Sequence, residues 1–191
     1  MDSAGGVLEM TKDVNLAIAD VEFAFRQLEF AIKLMCYCEQ NHLDRSKFDT
    51  DVTLLLETEN VGFPAGNFKT LESIIFASQI QVGVSFGVSA ILLDAAYEAT
   101  GVRKNLKSRA PEDDLRILVY MVRNAFAHNM AAPRWQLHGK DFQRIFSLPL
   151  EDTIAVVDFS SYNEKIFSYE HIGGFAQWFK IKTAVIRSIA L

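Results

Sequence analysis

Apolar residues recur every three or four positions in four stretches of this chain, with turn residues between them. From Thr11 to His42, the residues Val14, Ile18, Val21, Phe25, Leu28, Ile32 and Met35 alternate by four and three. That is the seam of a helix packed in a bundle. Phe23, Ala24, Phe30, Ala31 and Leu34 widen the seam, and its aromatic positions read as core. Glu22–Arg26 and Glu29–Lys33 are spaced for i,i+4 ion pairs on the wet side. Thr70 to Thr100 reads as a second long helix with no charge between Ser73 and Leu93. A run of that length can span a bilayer. Gln79, Gln81 and the serines at 73, 78, 85 and 89 interrupt it, and no basic cluster sits at either close flank. A helix buried on most sides, or in a dimer interface, with Gly83 and Gly87 allowing close approach, fits the pattern better.

Between these helices, Val52 to Leu56 is too short for periodicity to separate a strand from a helical turn. Gly62, Pro64 and Gly66 mark turns after it. Near the other end, Trp135–Leu137, Ile145–Leu148 and Thr153–Phe159 are short apolar runs, partly β-branched, that read as a small meander. Trp135 reads as a packing residue over a helix end. A last helix follows Gly173-Gly174, with Phe175, Phe179, Ala184, Val185 and Ile189 facing the bundle. The expected fold is mostly α, a helical bundle with a small β appendage near the C-terminal third. It forms one domain, 1–191, with main helices at 11–42, 70–100, 111–131 and 175–190 and short strands within 134–159.

The third helix is the most informative stretch, Ala110 to Trp135. Pro111 suits the first helical position, where a missing N–H costs nothing. Glu112, Asp113 and Asp114 favour the positive end of the helix dipole. Leu115, Leu118, Val122 and Ala125 form an apolar stripe, and Pro133 stops the run. Near its end stand Arg123, Asn124 and His128. Asn124 and His128 share a face, and Arg123 lies about 140° around the axis from His128, within the swing of a long side chain.

Composition sharpens this picture. Half of the 191 residues are hydrophobic, enough for a real core in a single domain. The first ten residues lack a basic region followed by an apolar one, so no secretory signal is expected. Cys36 and Cys38, the only cysteines, point in different directions on a helix and cannot easily bridge, which suits a reducing cytoplasm. The net charge of −5 is unevenly spread. Residues 103–144 carry nine Lys/Arg against four Asp/Glu, while residues 1–102 carry six against fifteen. The positive charge therefore gathers around the third helix and can attract a polyanion.

Several chemistries find no motif here. The histidines at 42, 128, 138 and 171 lack metal-ligand spacing, and there is no phosphate-binding glycine loop or nucleophile elbow. No metal or cofactor is expected. The carboxylate pairs Asp113-Asp114 and Glu151-Asp152 are expected to face solvent. That leaves Arg123, Asn124 and His128. A histidine can move protons near neutral pH, and an arginine matches phosphate with two parallel donors. Together they can cleave RNA without a metal: the histidine moves a proton, the arginine stabilises the phosphorane, and Asn124 orients the histidine or binds a phosphate oxygen. Such a reaction wants both an acid and a base, and a symmetric dimer would supply two histidines.

Arg123-Asn124-Ala125-Phe126-Ala127-His128 resembles the signature of the HEPN family, an arginine, a polar residue, three variable positions and a histidine. Pro133-Arg134-Trp135, the β-rich stretch and Gly173-Gly174 look similar to single-domain bacterial members. The resemblance implies a helical bundle and a homodimer with a composite cleft. In many members it implies metal-independent endoribonuclease activity, in toxin–antitoxin or phage-defence settings. Other members are non-catalytic dimerisation or nucleotide-binding modules. On this reading Arg123 and His128 are catalytic and Asn124 supports them. Arg103, Lys104, Lys107, Arg109 and Arg116 steer RNA. The expected partners are RNA, a second copy and a separate antitoxin or defence protein, with no membrane.

Overall fold

Helices α1 (Ser3–Glu39) and α3 (Leu71–Ala99) lie along each other and form the main layer of the fold. The computed structural model describes residues 3–151 and 153–190, with side chains described from Val14 onward. Helix α4 (Pro111–Ala127) packs on α3, and α5 (Gly174–Ile189) returns to touch α1, α3 and α4. A one-turn helix, α2 (Arg45–Phe48), and two hairpins complete the chain. The fold is mostly α, as the periodicity implied.

The first hairpin resolves the ambiguity at Val52. Strands β1 (Val52–Leu55) and β2 (Asn60–Phe63) pair antiparallel, Val52 opposite Phe63 and Leu55 opposite Asn60. It stands in solvent, with Leu54, Leu55 and Phe63 exposed. The Asp49 carboxylate accepts from the Gly66 and Phe68 amides and Asp51 from Ala65, which fixes the hairpin's base. The second pair, β3 (Ile145–Leu150) and β4 (Thr153–Asp158), buries Phe146, Leu148 and Leu150 against α4 and α5. Trp135–Leu137 forms no strand. The preceding Arg134 makes an isolated bridge to Ile166, Trp135 makes backbone bonds with residues 164 and 165, and the Leu137 amide donates to Asn163 Oδ1.

The core follows the expected seams with instructive exceptions. Val21, Phe25 and Leu28 of α1 are buried, and α3 contributes Val82, Phe86, Ala90 and Leu93. Helix α3 is long and apolar enough to cross a membrane, yet nearly half of its apolar window is covered by the other helices. Its Gly87 explains part of that packing: a Cβ there would come 2.8 Å from the Phe126 ring of α4. From α5 come Trp178 and Ile181, which the sequence reading passed over; Phe175 and Phe179 are only half-buried. Trp178 stacks on Phe86 and donates its indole N–H to Ser89 Oγ at 2.9 Å. Phe23 and Phe30, expected to widen the buried seam, are instead largely exposed. Glu29 pairs with Lys33 as spaced, but Glu22 turns to Lys182 of α5.

Helix ends also moved. Helix α1 begins eight residues earlier than its periodicity required, at Ser3 rather than residue 11. Helix α4 stops at Ala127, short of residue 131. There Asn129 Oδ1 accepts from the Ala131 and Ala132 amides, an asparagine turn that competes with the helical ladder. Beyond it the chain doubles back, and Trp135 is sealed by Phe159, Phe167 and His171.

His171 holds that return in place. Its Nδ1 accepts from Trp135 Nε1 at 2.9 Å and from the Ser168 amide at 3.1 Å, and its ring stacks on Tyr162 at 4.1 Å. Both bonds need Nδ1 unprotonated. Burial, then the charge of Lys165, pushes the imidazole pKa below its ordinary value. Between that lowered value and about 6.5 the unfolded chain binds more protons than the folded one, so stability rises with pH across the window. Denaturant titrations should therefore show stability falling as pH drops below about 6.5, and His171→Gln should flatten that dependence. An unchanged pH slope in the variant would refute this role.

Candidate functional site

The site grows from the way α4 is seated. Pro111 occupies its first turn beside Glu112, Asp113 and Asp114, as expected. Asp114 does not face solvent. It is 2 % exposed, accepts from the Ser147 amide at 2.8 Å and pairs with Arg144, tying the start of α4 to β3. Asp113 is half-buried and Glu151 exposed, while Asp152 lies outside the described residues.

Two residues after Asp114, Arg116 overturns its expected role. Its side chain is buried at 1 % exposure and cannot steer RNA. Its Nη1 donates to Asp94 Oδ1 at 2.5 Å, its Nη2 to Glu98, and its Nε to the Val102 carbonyl at 3.2 Å. The guanidinium also lies over the Tyr97 ring, 4.9 Å from its centroid. Asp94 and Glu98 are one turn apart on α3, so α3 presents a two-carboxylate fork to α4. Lys104, then Arg116, holds the Glu98 carboxyl below its usual pKa. Burial pushes the Tyr97 hydroxyl up to about 12, so it stays protonated and bonds Ser188.

Arg123 stands two turns beyond Arg116 on the same side of α4. Its Nε lies 3.7 Å from Asp94 Oδ2, so one carboxylate serves both arginines. Its Nη1 donates to Asn124 Oδ1 at 3.0 Å. Asn124 in turn lines a groove of about 320 Å³ together with His128, Tyr120, Met121, Gln136, His138 and Phe142. The three motif residues are thus linked in series: Arg123 touches Asn124, and Asn124 shares a groove with His128. His128 caps the C-terminal end of α4 and is exposed.

His138 is the residue that sequence reasoning missed. It stands in the same groove as His128, and with Gln136 it also lines an adjoining hollow beside Arg134 and Glu164. No spacing rule links positions 128 and 138. Only the doubling back of the chain after Pro133 brings them together.

The basic connector flanks this groove in part. Lys104 Nζ sits 4.5 Å over the ring of Tyr120, a groove wall, while also pairing with Glu98. Arg109 lies 3.6 Å from Asp141, next to the groove residue Phe142. Arg103 and Lys107 are exposed. Among the described residues no group of three His, Cys, Asp or Glu could hold a metal ion, and both cysteines are free.

No family model, curated protein or solved structure matches this chain.

Removing one member of a buried ion pair leaves the other charge without its partner, at a cost of roughly 3–5 kcal/mol. Arg116→Ala should lower unfolding stability by about 3 kcal/mol, with an unchanged denaturant slope. A loss below about 1 kcal/mol would mean the Asp94 fork does not hold α4.

Proposed function

We propose that this chain is a metal-independent endoribonuclease of HEPN type, acting in the groove between the end of α4 and the Gln136–Phe142 segment. One observation carries the reading: His128 and His138 share one groove with Asn124, which is bonded to Arg123. One histidine takes the proton of the ribose 2′-hydroxyl as that oxygen attacks the neighbouring phosphorus. The other gives its proton to the departing 5′-oxygen. The P–O5′ bond breaks, leaving a 2′,3′-cyclic phosphate and a 5′-hydroxyl. Arg123, held by Asp94 and Asn124, turns its remaining donors toward the charge building on the phosphorane. The connector carrying Arg103, Lys104, Lys107 and Arg109 supplies a positive approach for the RNA. The reading places the chain in the cytoplasm, as a toxin or phage-defence nuclease.

A cleft shared between two subunits was expected because one histidine per chain is too few. His138 meets that shortage within a single chain. Both histidines of the proposed groove therefore come from one chain.

A second reading has its own observation. Arg123 pairs with Asp94 of its own chain, as a purely structural arginine does. The domain is then a non-catalytic HEPN-like module, built for dimerisation or nucleotide binding.

The two separate in one assay. The full chain is incubated with RNA in EDTA and the product ends are identified. The nuclease reading expects cleavage to cyclic phosphates, with a bell-shaped pH profile. His128→Ala, His138→Ala and Arg123→Ala should each reduce the rate by about 10²–10⁴. Loss of one limb of the bell in His138→Ala marks it as one of the two proton carriers. Absent cleavage, or cleavage that survives His128→Ala and Arg123→Ala, supports the module instead.

A further inference from the structure

A second hollow, of about 380 Å³, adjoins the His128 groove and is lined by Arg134, Trp135, Gln136, His138 and Glu164. Gln136 and His138 line both spaces and so form the partition between them. The volume is in the range of small-ligand sites. A single RNA strand with a phosphate beside His138 brings its next nucleotide to this hollow. Irregular backbone builds the walls. Residues 134–137 run antiparallel to residues 163–167: the Glu164 amide donates to the Trp135 carbonyl at 2.8 Å, the Trp135 amide to the Lys165 carbonyl at 3.0 Å, and the Leu137 amide to Asn163 Oδ1 at 2.8 Å. Trp135 is wholly buried and bonded to His171, which anchors the pairing.

Glu164 is the unusual residue of this hollow. Its φ is +62°, in the left-handed region that glycine enters freely and a residue with a side chain does not. Backbone strain of this kind gathers at binding and active sites. Arg134 gives its Nη1 to the Glu164 backbone carbonyl at 3.1 Å rather than to its carboxylate. A carboxylate and a guanidinium with further donors therefore border one hollow. The four bases meet such a pair differently. Guanine sets two adjacent donors, N1–H and N2–H, beside an acceptor, O6. A carboxylate accepts the two donors in parallel, and an arginine N–H takes O6. Adenine turns the N1 lone pair toward the carboxylate and its amino group toward the arginine. Uracil offers a single N–H between two carbonyls, and cytosine only its amino group. The pair thus attracts guanine and sets like against like for the other bases. In single-stranded RNA these edges are free to be read.

We propose that this hollow is a guanine subsite, in which Glu164 accepts from N1–H and N2–H and Arg134 donates to O6. The subsite takes its role from the nuclease reading of the adjoining groove, and it directs cleavage to phosphates next to a guanine. Its affinity for the base does not depend on cleavage.

Two measurements on the full chain test it. In the first, NMR titrations compare 2′-deoxy dinucleotides that carry guanine, adenine, cytosine or uracil on either side of one phosphate. These have no 2′-hydroxyl to attack and stay intact. Guanine-bearing dinucleotides should bind about tenfold more tightly than the rest. Glu164→Gln keeps the size of the side chain but replaces one acceptor by a donor, so it should abolish that preference and leave the melting temperature unchanged. Glu164→Gly should also abolish it without lowering the melting temperature, because glycine takes this φ without strain. In the second, cut sites are mapped on RNA of mixed sequence. Wild type should cut beside guanines, and Glu164→Gln should cut without regard to base. Equal binding of all four bases overturns the subsite, as does a guanine preference that survives Glu164→Gln. Cleavage with no base preference sinks the subsite and spares the nuclease. Guanine binding that needs Glu164, in a chain that cuts no RNA, upholds the base site and sinks the nuclease.

Discussion

A carboxylate on an otherwise uncharged stretch of helix holds this structure together. Asp94 is the first charge on α3 after the run from Ser73 to Leu93, and it is buried. One of its oxygens takes Arg116, the other faces Arg123. Apolar packing between α3 and α4 is nondirectional and would tolerate small slides and rotations. The two arginines, two turns apart on α4, do not. A charge taken out of water demands its partner in a fixed place. The register of α4 on α3 is set there, and with it the position of everything at the end of α4. Gly87 adds a steric condition to the electrostatic one, since only a residue without a Cβ admits Phe126 at that distance.

The groove depends on a second device, the reversal of the chain after α4. Asn129 ends the helix by taking two amides, and Pro133 keeps the ladder from resuming. The Arg134 amide then bonds back to the Ala125 carbonyl, and Trp135 is buried under the 3-10 turn Tyr169–Ile172 by its bond to His171. This clamp brings Gln136 and His138 back toward α4. His128 and His138 are exposed, whereas Trp135, Asp94 and Arg116, which set the elements that carry them, are buried. Among the described residues, no buried side-chain polar atom lacks a partner.

Much of this was legible in the sequence, and the omissions share a cause. The four long helices follow from three- and four-residue spacing, and the cap chemistry at Pro111 placed the start of α4 to the residue. Periodicity reports which positions along one element are alike; it does not report which elements meet. Arg116 and Asp114 therefore read as surface charges, because their partners Asp94 and Arg144 lie 22 and 30 residues away. Phe23 and Phe30 read as core for the converse reason: a helix can carry two apolar stripes, and spacing cannot tell which of them faces the bundle. His138 escaped notice because the link to His128 runs through an irregular loop with no repeat to read. Arg123, Asn124 and His128 were visible as a set, yet the bond that joins the first two appears only when their rotamers do.

The place of α5 bears on how the molecule is made. Trp178, Val185 and Ile189 complete the core, and Lys182 reaches Glu22 across 160 residues of chain. On a ribosome adding about 5–20 residues each second, Phe25, Phe86 and the rest of that core emerge many seconds before their cover. During that interval the nascent chain shows an oily trough along α1 and α3, the kind of surface that chaperones hold. Quality control in the cell would therefore meet this protein chiefly as an unfinished one, and damage to its last helix would be felt first as aggregation during synthesis.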